Sequence, residues 1–254
     1  RRMTTSAPLY LLHTQPDAHL LSAWMARYRT HDLGDALHGL LRAAFGAHAP
    51  QPFRYLDEHR GLLAYTPLDA QAMAEQVALA DDLAARTLGL GAGSAHAGYR
   101  LRPFPTQWAQ GQVLGFEVRV RPTVRSARGE QDAFLHAVAQ AGGKEGGPVE
   151  REAVYAQWLR EHLAVRKGTP PQPWQGAIEL LDVQLSAFAR STVVRRTQPI
   201  AGQPRKGRAI EGTDATLTGR LRVTDTAAFA HLLARGVGRH RAYGFGMLLL
   251  HRAS

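Results

Sequence analysis

The chain has 254 residues, enough for one large domain or two small ones, each with a real core. Thirty-one lysines and arginines against 21 aspartates and glutamates give a formal charge of +10, the balance of a protein that meets polyanions. The absence of cysteine excludes disulfides, thiolate metal sites and cysteine nucleophiles, and the lack of an apolar run of about 18 residues excludes a spanning helix.

With no long apolar core near its start, the chain reads as a cytoplasmic protein without a membrane partner. Its twelve histidines contain no HExxH, and the pairs His38/His48, His59/His96 and His231/His240 form no compact ligand set. Neither a metal nor a cofactor is expected.

Residues 8–13 read as a short buried strand. Leu33, Leu37, Leu40, Leu41 and Phe45 recur at helical spacing, and Gly46 supplies a stop. Residues 53–57 and 61–66 form a hairpin turned at Glu58-His59-Arg60, and an alanine-rich helix over 68–88 ends at a glycine-rich break over 89–98. This order lacks only a final strand to complete a βαββαβ unit.

The second half repeats the theme. Phe116, Val118 and Val120 alternate with Glu117, Arg119 and Arg121 as in a half-buried strand. A helix over 150–165 carries Val154, Trp158 and Leu159 on one face, and strands follow at 178–185 and 215–223. Thr224 or Asp225 caps a helix through Leu233, and an apolar strand over 243–251 closes the unit.

The expected class is α+β, with two ferredoxin-like (RRM-like) domains at 1–112 and 113–254. A helical patch at 133–140, the glycine-rich stretch after it and the next helix are expected to form a helical finger over about 126–167. Residues 190–208 read as a loop holding Arg190, Arg195, Arg196, Arg205, Lys206 and Arg208 with no acid, a footprint for a phosphate backbone.

Residues 236–246 place Gly236, Gly238, Gly244 and Gly246 in a doubled G-x-G frame around Arg239, His240 and Arg241. Glycine lets backbone N–H groups approach an anion, and arginine supplies forked donors, so the segment reads as a phosphate-binding loop. It lacks the G-K-[ST] ending of a Walker motif, and its glycines lead into a strand, unlike those of a dinucleotide fold. The alternative is a helix-to-strand turn that uses glycine for geometry alone.

Leu232-Leu233-Ala234-Arg235-Gly236-Val237-Gly238, leading into Ala242-Tyr243-Gly244-Phe245-Gly246-Met247-Leu248, resembles the glycine-rich signature of the CRISPR repeat-processing endoribonucleases, particularly the CasE type. Leu37-His38-Gly39-Leu40-Leu41 is similar to the first helix of that family. Phe116-Glu117-Val118-Arg119-Val120-Arg121-Pro122 and Ala153-Val154-Tyr155-Ala156-Gln157-Trp158-Leu159 resemble the strand and helix that open its second domain. The resemblance implies metal-independent cleavage of a CRISPR repeat transcript below its hairpin, retention of the crRNA product, and assembly with other effector-complex subunits. Relatives of the CasE type carry a tyrosine three residues before the histidine, where this chain has Asp35. The helical insertion resembles instead the finger of the type IV crRNA-processing enzyme, which leans more on arginines.

Cleavage without a metal uses the ribose 2′-OH as nucleophile, and histidine, with an unperturbed pKa of about 6.5, suits the proton transfers. The resemblance makes His38 the candidate, against the alternative of a helix histidine with no catalytic role. Arg42 lies four residues on, one helical turn away on the same face, and Arg27 and Arg29 precede the helix as further phosphate ligands. A non-catalytic subunit that holds the crRNA hairpin is the alternative function.

Overall fold

The computed structural model describes residues 7–91, 98–126, 129–166, 168–196 and 207–253. The first unit runs β1 (Leu9–Thr14), α1 (Ala18–Arg27), α2 (Leu33–Phe45), β2 (Phe53–Asp57), β3 (Gly61–Thr66), α3 (Ala70–Leu79), α4 (Asp82–Leu88) and β4 (Arg100–Phe104). Its strands form an antiparallel sheet in the order β2-β3-β1-β4, the ferredoxin-like arrangement. Leu12, Leu62 and Ala64 from the sheet pack on Leu37, Leu40, Leu41 and Phe45 of α2.

Capping explains two departures from the expected elements. Helix α1 was not anticipated: Asp17 starts it by accepting from the Leu20 N–H at 2.9 Å, and it buries only Leu21 and Trp24. The single helix expected over 68–88 is two, because Ala80 is extended and Asp81 accepts from the Ala84 N–H at 2.9 Å to begin α4. An aspartate inside an alanine-rich run competes for the backbone and restarts the helix.

The second unit runs β5 (Val113–Val120), β6 (Thr123–Ser126), β7 (Gly129–Asp132), α5 (Ala133–Gln140), α6 (Arg151–Leu163), β8 (Ile178–Arg196), β9 (Gly207–Val223), α7 (Thr226–Arg235) and β10 (Leu248–Arg252). Its sheet order, β10-β5-β9-β8, repeats the first. Helix α6 buries Tyr155, Ala156, Leu159 and Leu163, so it is the core helix of this unit, and the added elements are the β6–β7 hairpin and α5.

Of the segment expected as a basic loop over 190–208, residues 190–196 and 207–208 instead continue β8 and β9. The two strands pair from Ile178↔Val223 out to Arg196↔Gly207, well beyond the sheet. Thr192, Val193 and Val194 are β-branched, which favours the extended chain over a loop. Arg205 and Lys206 lie outside the described residues. The last strand begins at Leu248, later than expected, because residues Arg241–Tyr243 form a 3-10 turn.

The two units share one core. Leu9, Leu11 and Tyr65 of the first sheet join Phe116, Val118 and Leu248 of the second and Phe229 of α7. The buried Tyr65 hydroxyl donates to the Leu248 carbonyl at 2.9 Å, and Arg54 of β2 pairs with Glu117 of β5 at 3.2 Å.

Candidate active site

A cleft of about 1230 Å3 opens where the units meet. The start of α2 and the chain before it form one wall, β2 the floor, the β8–β9 hairpin the opposite wall, and Tyr243, Gly244 and Phe245 the end. Asp32 positions α2 by accepting from the Gly34 N–H at 2.8 Å. A Cβ at Gly34 would stand 2.5 Å from the Tyr243 carbonyl oxygen, so only glycine lets the C-terminal loop lie on this helix.

That contact brings Tyr243 to His38. Their ring centroids are 4.7 Å apart, with His38 half-buried one turn beyond Gly34. Arg42 follows on the next turn and is exposed. Arg29 is exposed, lines the cleft and holds a left-handed backbone at φ 50°. Arg27 instead lies over the Tyr28 ring, 5.8 Å from its centroid, and Tyr28 packs on Trp24 in a tilted contact at 4.4 Å. Asp35 is buried and lines the cleft.

The glycine loop turns its backbone inward. Gly236 N–H donates to Leu232 O at 2.7 Å, Gly238 N–H to His162 Nε2 at 3.1 Å, and Gly246 N–H to Arg119 O at 2.7 Å. All four loop glycines have positive φ, and a Cβ at Gly246 would stand 2.1 Å from Val237 O. These N–H groups are engaged with protein acceptors, so the glycines shape the wall by close packing. The loop's bases are held as well: Arg239 pairs with Glu130 at 3.1 Å, and Arg241 donates to Arg235 O at 2.9 Å.

The cleft holds cations that strand alternation had marked only as a polar face. Arg119 donates from Nε to Asp214 Oδ1 at 2.8 Å and lies 4.4 Å from the Phe245 ring centroid. Burial, with Arg119 nearby, draws the Arg54 guanidinium below its usual range despite Glu117 and Asp214. Arg121, buried, donates from Nη2 to Ser191 Oγ at 2.9 Å, which ties β5 to the hairpin. Arg190 lies 3.6 Å from Glu211 in an exposed pair. In the register Arg195 stands opposite Arg208.

Residues 9–252 match the model of the family described as CRISPR associated protein. The chain belongs to this family. No curated protein sequence matches it. Its fold is similar to that of the CRISPR endoribonuclease Cse3 bound to 19 nt RNA, with a TM-score of 0.60 at 19% identity over 96% of this chain and 99% of that one. Thermus thermophilus Cse3 bound to an RNA representing a pre-cleavage complex gives 0.57 at 18% identity, covering 96% and 99%. A chain of a CRISPR RNA-guided surveillance complex, pre-nicking, gives 0.53 at 18% identity, covering 96% and 100%. Two ferredoxin-like units in series are thus shared with these structures.

Among the described residues no group of three or more histidines and carboxylates is placed to hold a metal ion, and no helix is long and apolar enough to cross a membrane. Tyr243, like Arg54 and Arg119, lines the cleft and was passed over by sequence reasoning. Its only signal was its place in the glycine motif, since nothing in the chain order pairs it with His38.

Proposed function

We propose that the protein is an endoribonuclease that cuts a CRISPR repeat transcript at the base of its hairpin, keeps the crRNA and joins an effector complex. The observation that carries this reading is the meeting of His38 and Tyr243 beside an arginine-lined cleft walled by a long basic hairpin. Family membership and the fold shared with Cse3 support it.

His38 takes the proton of the 2′-OH, and the freed oxygen attacks the adjacent phosphorus. The bond to the 5′-oxygen breaks as that oxygen receives the Tyr243 hydroxyl proton, leaving a 2′,3′-cyclic phosphate and a 5′-OH. Arg29 and Arg42 steady the charge that builds on the phosphoryl oxygens. The glycine loop, by packing on α2, holds Tyr243 in register.

The hairpin is the RNA-binding arm. Arg195 and Arg208 occupy opposed positions in the ladder, so two positive residues fall at one level of the hairpin, suited to a polyanion lying along it. Arg190, Arg196, Arg205 and Lys206 add to that charge, suited to the phosphates of a stem read by shape.

Incubation of the protein with repeat RNA in EDTA tests the reading. Cleavage to a cyclic-phosphate product is expected, and a 2′-deoxy nucleotide before the scissile bond should stop cutting and spare binding. Tight binding without any cleavage would make the protein a hairpin-holding subunit instead, the reading that Asp35 in the tyrosine's place favours.

A further inference from the structure

The β8–β9 hairpin has two unlike faces. Ala187, Ala189 and Ser191, with Asp214 and Thr216 across the ladder, line the candidate active-site cleft. One residue out of step, Arg190, Glu211 and Thr213 line a separate cavity of about 500 Å3 on the other side. Phe188 reaches the rim of both. The far wall comes from the added β7 and the start of α5, together with the first turn of the core helix α6.

Two large apolar side chains stay open in this cavity, Phe188 at 46% exposure and Leu135 at 52%. Their surroundings are fixed. The Arg151 guanidinium lies 4.4 Å from the Phe188 ring centroid and 3.9 Å from that of Phe134. It donates from Nη1 to Tyr155 Oη at 2.8 Å, and Tyr155 Oη donates to Asp132 Oδ2 at 2.9 Å. Asp132 in turn caps α5, accepting from the Phe134 N–H at 2.9 Å.

An exposed aromatic ring held by a cation is a stacking platform, and such platforms take unpaired bases. The volume falls in the range of about 300–1000 Å3 usual for small-ligand pockets. The exposed Arg190–Glu211 pair at the mouth is weak, so the guanidinium is available to a phosphate. Position completes the case, because Phe188 lines both this cavity and the cleft, so the two are continuous at its ring.

We infer that this cavity binds one unpaired nucleotide of the RNA processed in the neighbouring cleft, its base stacked on Phe188. The inference rests on the RNA reading above. Stacking is tolerant of base identity, so the site measures strandedness: it anchors RNA that has an unpaired nucleotide beside the stem and ignores the bare duplex.

The test compares two uncleavable RNAs by equilibrium binding to the full chain. One is the repeat hairpin with its loop and single-stranded flanks; the other is the same stem closed by a non-nucleotide linker and without flanks. Phe188→Ala should weaken binding of the first about 10-fold and leave the second within about two-fold, with Phe188→Trp restoring the loss. Leu135→Ser, which touches this cavity and not the cleft, should weaken the first RNA alone. Equal losses on both RNAs, no loss on either, or an effect confined to association with a protein subunit would overturn the inference. Failure of the unaltered protein to bind either RNA would overturn the RNA reading itself.

Discussion

His38 and Tyr243 come from opposite ends of the chain and meet because Gly34 lets the last loop lie on α2. His38→Ala should lower cleavage by about 10²–10⁴-fold, as loss of a general base does, with RNA affinity unchanged in a binding assay. Tyr243→Phe keeps the ring contact and removes only the hydroxyl, so single-turnover cleavage should fall while affinity holds. If cleavage is unaffected by Tyr243→Phe but lost on Arg42→Ala, the arginines carry the chemistry. A different histidine sets the acid limit of the loop. His162 stacks between Trp158 and Trp174, with both centroid distances 5.3 Å, and accepts the Gly238 N–H. Burial, then Arg235, Arg166, Arg241 and Arg239, hold its pKa down to about 4. The unfolded chain takes that proton near 6.5, so the stability this neutral ring provides is whole above about 6.5 and is lost as pH falls towards 4, by about 3 kcal/mol. Urea denaturation at pH 7 and pH 4.5 should show that loss, and His162→Gln, which cannot titrate, should flatten it.

At the scale of elements, the hairpin spreads its charges unevenly along its length. Near its root Arg220 pairs with Asp182 and Arg222 with Glu179, both at 2.6 Å. Towards its end acids stop at Glu211, and Arg195, Arg196 and Arg208 follow in the ladder. Replacing Arg195 and Arg208 by glutamine should weaken RNA binding and lower the slope of log K against log salt by about two, one for each lost phosphate contact. Cleavage at saturating protein should hardly change. The hairpin also marks where sequence reasoning stopped. Strands at 178–185 and 215–223 were legible because one face is buried and the pattern alternates; past residue 185 the apolar–polar alternation that signals a strand fades from the sequence. Helix α1 was hidden for a like reason, since two buried residues do not make a stripe. The β2–β3 hairpin and α5 were legible to the residue, because turn and cap signals bracket them. The cleft was half legible: His38 and the glycine motif stood out, while Arg54 and Arg119 looked like ordinary outward-facing strand residues.

On the scale of the whole molecule, two repeats of one topology are joined by a shared core. The sheets share the apolar cluster that runs from Leu9 and Tyr65 to Phe229 and Leu248, so neither unit keeps its full core without the other. The site depends on that union, since α2 belongs to the first unit and Tyr243 and the hairpin to the second. Heat or urea should therefore unfold the chain in one transition, with α2 and the glycine loop lost together. Tyr65 gives the sharpest probe of the seam. Its hydroxyl is buried, which pushes its ionisation well above the usual tyrosine range and keeps it a donor to the Leu248 carbonyl. Tyr65→Phe leaves that buried carbonyl without this donor, which should cost about 1–3 kcal/mol. The midpoint in urea should fall with the slope unchanged, because the same surface is still exposed in one step. A second transition appearing in the variant, or two in the unaltered protein, would mean that the units fold independently and that the cleft is a docking of finished domains. One transition in both proteins makes the site a product of the shared core.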